Sequence, residues 1–156
     1  GAYSFTSGAL GQRPWMALAP VQIDKTAESL RELDREIRQY ASGQVPPSGE
    51  EVARIQATEI RSLPGAYETG RAVMGTVGGM VRYDRPDDYV FQRKARIEAL
   101  DVDQVKRAAA TIDPDKLVWV VVGDLKQTEA AVRALDLGEV RIVDADGQPV
   151  TSPASM

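Results

Sequence analysis

The chain has 156 residues, 43% hydrophobic and 27% charged, with a formal net charge of −4 and no histidine or cysteine. Its length and balance fit one globular domain, while the two missing residue types exclude an imidazole base, a thiolate nucleophile and nitrogen or sulfur ligation of zinc or copper. An isoelectric point near 4.9 disfavours nucleic acid as a partner, because phosphate recognition needs a clustered basic surface.

Tyr3 to Ser7 alternates aromatic and small polar residues, the period of a half-buried strand. After Gly8 and Gly11, Pro14 to Ile23 is a second extended run, and the two predict an antiparallel hairpin with an irregular loop. Asp24 is a plausible N-cap for a helix carrying Ala27, Leu30, Leu33, Ile37 and Tyr40 at helical spacing, with Gly43 as its stop. Pro46-Pro47 breaks the chain, and Ser48 with Glu51 then has capping-box spacing. Val52, Ile55, Ile60 and Leu63 form the next apolar stripe, ended at Pro64-Gly65. A glycine-rich helix follows from about Tyr67 to Met80.

Asp87 and Asp88 can start a helix running to about Glu98. Asp101 with Gln104 caps another, which stops at Asp113-Pro114. Leu117 to Val122 is a continuous apolar run, predicted as a buried central strand and far too short to span a bilayer. Gly123-Asp124 turns into a short helix over Thr128 to Leu135. Glu139 to Val143 is a predicted last strand, Asp146-Gly147 a turn, and residues 151–156 a frayed tail. Two strands, several helices and then later strands argue for an α+β fold. The chain opens inside a strand and without methionine, which predicts a fragment of a larger protein with its N-terminal part missing.

Few residues suggest chemistry by themselves. Val120-Val-Val-Gly-Asp124 could end a nucleotide-binding strand, but no phosphate-cradling glycine loop accompanies it. Asp144-Ala-Asp146-Gly147 starts like a calcium loop, yet lacks the third oxygen ligand and the closing glutamate. Asp84, Asp87 and Asp88 could hold a hard cation, although acidic residues also gather at helix N-termini. Arg93, Lys94 and Arg96 read as a solvated basic run. Trp15 and Trp119, on predicted strands, read as core. No carboxylate spacing favours an acid–base pair.

Several segments, in order, resemble the second, non-catalytic repeat of the pitrilysin/insulinase family of zinc metallopeptidases, the inverzincins bearing H-x-x-E-H. They are Gly1-Ala-Tyr-Ser4, Asp24-Lys-Thr-Ala-Glu-Ser-Leu30 and Gly43-Gln-Val-Pro-Pro-Ser-Gly-Glu-Glu-Val52. Further along come Arg85-Pro-Asp-Asp-Tyr89 and Asp101 to Ala109, followed by Asp113-Pro-Asp-Lys-Leu-Val-Trp-Val-Val-Val-Gly-Asp124. The ending Val143-Asp-Ala-Asp-Gly-Gln-Pro149 is similar to the bacterial short-subunit branch. The resemblance spans residues 1–150.

That resemblance implies a ferredoxin-like unit, with a largely antiparallel sheet packed against several helices. Two such units form half of a chamber around a peptide substrate. The resemblance places zinc and the catalytic base in the missing N-terminal repeat or in a partner chain, so no catalytic or metal-binding residue is expected here. The family sets an arginine and a tyrosine seven residues apart near the scissile bond. Tyr3 matches the tyrosine as a substrate-binding residue, and the arginine would precede Gly1. The implied partners are a peptide and the zinc-bearing repeat or subunit; the acidic balance argues against nucleic acid and the short apolar run against membrane insertion. The implied compartment is the periplasm or cell envelope, with the cytoplasm as the alternative. Two other functions compete: a non-catalytic partner or scaffold subunit of the same family, and an unrelated α+β binding module.

Overall fold

The computed structural model describes residues 1–150, so the expected frayed tail lies outside the described residues. Its elements are β1 (Tyr3–Thr6), β2 (Trp15–Leu18), α1 (Thr26–Ala41), α2 (Gly49–Ser62), α3 (Gly70–Arg82), α4 (Tyr89–Glu98), α5 (Val102–Ala109) and α6 (Leu125–Arg133). The class is α+β, dominated by helix, with a small two-stranded antiparallel sheet. The chain divides into two compact units.

The first unit comprises residues 1–7, 13–36 and the segment from Lys116 onward. Its hairpin is the one expected from the sequence, with Tyr3 opposite Leu18 and Phe5 opposite Met16. A short 3₁₀ turn over Ile23–Lys25 packs against α6 and precedes α1, so Asp24 lies inside that turn and the α-helix starts at Thr26. Among the described residues, Leu30 on α1 and Thr128 on α6 are this unit's buried side chains. Asp124 caps α6, its carboxylate accepting from the Lys126 amide at 3.0 Å and from the Gln127 side chain at 2.7 Å. The helix thus begins three residues before the predicted Thr128.

The sequence misleads most at Leu117 to Val122. This segment belongs to no strand, and no backbone hydrogen bond joins it to another described residue. It is not buried either: Val118, Val120 and Val122 point to solvent, while Leu117 and Trp119 are half-buried. An apolar run records that a surface has to be covered, and here no described strand lies alongside to cover it. Glu139 to Val143 likewise forms no strand. It ends in a tight turn in which Asp144 Oδ1 accepts from the Asp146 and Gln148 amides, with Gly147 at φ +77° and a lone bridge between Val143 and Pro149.

The second unit comprises residues 8–12 and 37–115. Gly43, at φ +73°, turns the chain out of α1, a backbone position that suits a residue without Cβ. The Ser48 box forms as expected: the Glu51 amide donates to Ser48 Oγ at 3.2 Å, and the Ser48 amide donates to Glu51 Oε2 at 2.8 Å. Asp101 and Gln104 repeat the arrangement at α5, with distances of 2.7 and 2.9 Å. The glycine-rich helix starts later than predicted. Tyr67 sits in a 3₁₀ turn, and Thr69 caps α3 by accepting from the Ala72 amide.

α2 packs against α4. The Gln56 side-chain amide donates to the main-chain carbonyls of Ile97, Glu98 and Leu100 at the C-terminal end of α4, where carbonyls lack a full set of intrahelical partners. Ala109 is the buried apolar side chain here. Between α3 and α4, the Arg85 guanidinium lies 4.9 Å from the Tyr83 ring centre and 4.3 Å from that of Tyr89.

Candidate functional site

The residues that suggested chemistry at the sequence level are largely occupied with local structure. Asp124 is a helix cap and Asp144 a turn acceptor, so their carboxylates face main-chain amides. Asp88 accepts from the Gln92 side chain at 2.7 Å. Arg93 pairs with Glu59, Lys94 with Glu98, and Arg96 donates to Gln92, so the basic run is spent on its own helix and on α2. Among the described residues, no group of three acidic side chains could hold a metal ion.

Glu51, Asp124 and Glu139 have carboxyls held below their ordinary range. The Ser48 backbone amide and then its hydroxyl lower Glu51; the Gln127 side chain and then the Lys126 amide lower Asp124; the Arg141 guanidinium lowers Glu139. Hydrogen bonds to the ionised form are the cause in each case, and such groups make poor proton donors near neutral pH.

Tyr3 stands in a different setting. It is 55% exposed on β1, its ring stacked on that of Phe5 with centroids 6.4 Å apart and planes at 19°. Residues opposite each other across an antiparallel ladder project to the same side. The register therefore gathers Tyr3, Phe5, Met16 and Leu18 on one face of the hairpin, and all four are exposed. Ser4, Thr6, Trp15 and Ala17 occupy the other face. The Tyr3 face carries no charge, and the Tyr3 phenol is its hydroxyl donor. Among the described residues the sheet has only two strands, so the outer edge of β1 has no ladder partner.

This arrangement can receive an extended polypeptide. Main-chain groups on the open edge supply hydrogen bonds, the apolar face receives alternate side chains, and the phenol reaches a carbonyl oxygen. Period-two alternation placed Tyr3 on a strand, but a single strand's pattern does not reveal its register. Phe5, Met16 and Leu18 were consequently missed as neighbours of Tyr3. The expected half-buried face is exposed. Comparison of the chain with protein-family models, characterised proteins and solved structures finds no match.

Proposed function

We propose that the chain is the C-terminal, non-catalytic repeat of a pitrilysin/insulinase-type zinc peptidase, supplying chamber wall and substrate contacts for peptide hydrolysis. The supporting observation is the placement of Tyr3: an exposed phenol on a strand edge with no ladder partner among the described residues, within an uncharged apolar face. The finer fold belongs to the same proposal. In it, the hairpin and the helices belong to a ferredoxin-like unit with a largely antiparallel sheet packed against several helices.

The donor set does not fit zinc. The chain has no histidine or cysteine, and its described carboxylates form no metal-binding group. No step is therefore assigned to a metal on this chain. Its own contribution is to hold a peptide extended along β1 and to direct the Tyr3 hydroxyl at a carbonyl oxygen. A donor there stabilises charge that develops as the carbonyl is attacked. The test is to give the purified chain zinc and a fluorogenic peptide. Weak peptide binding without stoichiometric zinc or cleavage is expected; zinc uptake with turnover would defeat the proposal.

A further inference from the structure

We propose that the peptide bound by this chain joins β1 as an added antiparallel strand, hydrogen-bonded to the main chain of Ser4 and Thr6 and selected for apolar side chains two residues apart, opposite Tyr3 and Phe5. This inference rests on the peptide-binding reading above and names the class of peptide it concerns. The phase of the hairpin ladder carries it. The Ser7 amide donates to the Pro14 carbonyl at 3.0 Å, and that pair continues the register that sets Tyr3 against Leu18 and Phe5 against Met16. Hydrogen-bonded and non-hydrogen-bonded pairs alternate along an antiparallel ladder. Tyr3 and Phe5 therefore spend their N–H and C=O groups on β2, while those of Ser4 and Thr6 point to the outer edge. No described residue meets the Ser4 or Thr6 main chain there.

Donor and acceptor groups thus alternate along one edge, with Ser4 and Thr6 about 7 Å apart. Another extended backbone is the ligand whose own donors and acceptors repeat at that spacing. Its residue paired with Ser4 and the one two positions earlier, paired with Thr6, leave the residue between them opposite Phe5. The next residue then lies opposite Tyr3. These two are non-hydrogen-bonded pairs of the new ladder, where side chains approach closest, and their side chains fall on the Tyr3 face. The two rings there are stacked with centroids 6.4 Å apart, and the face carries no charge. β-Branched or aromatic side chains pack well on such rings. A charged side chain would lose water there without gaining a counter-ion. The residues paired with Ser4 and Thr6 turn to the opposite face, beside two exposed hydroxyl side chains, which accommodates polar groups. The selected pattern is polar–apolar–polar–apolar along the peptide.

The probe is acetyl-Lys-Thr-Val-Ser-Ile-Thr-Lys-amide, compared with the isomer acetyl-Lys-Thr-Val-Ile-Ser-Thr-Lys-amide, whose apolar residues are adjacent and fall on opposite faces. Each is titrated into the full chain while amide hydrogen exchange and the Tyr3 and Phe5 ring resonances are followed by NMR. The first should bind about five-fold more tightly, the worth of one cross-strand pair. At saturation it should slow exchange at the Ser4 and Thr6 amides and leave those of Tyr3 and Phe5, already bonded to β2, unchanged. Ser4→Pro removes an outward donor, which an edge strand tolerates, and should abolish the preference while the Phe5 amide stays protected. The probe N-methylated at its central serine should lose binding to the unaltered chain. Equal affinity of the two isomers, or ring shifts with the Ser4 and Thr6 amides still exchanging freely, would overturn this inference and leave peptide binding standing. So would protection that appears at Trp15 and Ala17 instead, or that grows with chain concentration alone, which would identify a second copy as the added strand. Rings unmoved by either isomer would remove the peptide-binding reading itself, and this inference with it.

Discussion

The side-chain amide of Gln56 donates to the main-chain carbonyl of Leu100 at 2.8 Å, joining residues 44 apart in sequence. With Ile97 at 2.8 Å and Glu98 at 3.3 Å, it serves as a distant C-terminal cap for α4. Gln56→Ala should destabilise by about 1 kcal/mol, the net worth of one such bond. Gln56→Glu should cost more at neutral pH, because a carboxylate has no hydrogen to offer three carbonyls. Its penalty should shrink on acidification, once the introduced carboxyl is protonated and can donate. Urea unfolding at pH 7 and pH 4 separates the two variants.

The N-terminal caps of α2 and α5 should be separable by mutation. Ser48→Ala and Asp101→Ala each remove a side-chain acceptor for a first-turn amide, at a cost of about 1 kcal/mol. The sites lie on different helices and share no hydrogen bond, so the double variant should be close to additive. Thermal or urea denaturation of the three variants checks this.

Acid should loosen α2 and α6 at their starts. Glu51 and Asp124 have carboxyls lowered by hydrogen bonds that require the ionised form. A lowered folded value means the stabilisation is complete above the ordinary carboxylate range, near 4, and disappears as pH falls through the lower folded value. Helicity measured by circular dichroism should be flat from pH 8 to about 5 and decline below about 4. Glu51→Gln should remove that residue's share of the decline while retaining most of the cap, since glutamine also completes a capping box.

Arg85, held between Tyr83 and Tyr89, should act as a clamp on the loop joining α3 to α4. Arg85→Ala is expected to cost about 1 kcal/mol and to shift both ring resonances in NMR spectra. Arg85→Lys should recover only part, because an ammonium lacks the planar stacking surface.

Tyr3→Phe should leave stability within about 0.5 kcal/mol of wild type, as expected for an exposed side chain. In an assembled peptidase of the proposed type, the same substitution should lower kcat by about 10²- to 10³-fold if the phenol supplies an oxyanion donor. KM should move far less, because the ring and its contact with Phe5 remain.

The parts legible in the sequence were those governed by neighbours in the chain. Ser48 with Glu51 and Asp101 with Gln104 are three residues apart, and a capping box needs nothing farther away. The hairpin and its turn were also local, and the α+β class followed from element order. Gln56 was not legible, because the sequence near it gives no sign of the carbonyls it meets 41 to 44 residues away; Arg85 has Tyr83 and Tyr89 close by in sequence, but their spacing does not fix the ring orientations that hold it. Leu117–Val122 was misread for a related reason. Its hydrophobicity correctly reports a need for cover, but cover is a property of surrounding strands, and no described residue supplies a pairing strand. At Tyr3 the period placed the residue on a strand, and only the register with β2 disclosed the apolar face around it.

The most direct test of the functional proposal is an NMR titration of the chain with an unstructured peptide, run with and without zinc. Resonances of Tyr3, Phe5, Met16 and Leu18 should shift together along one saturable curve, independent of zinc, with the peptide recovered intact. Shifts that leave these four residues untouched, or a peptide cleaved by the chain alone, would contradict the proposal.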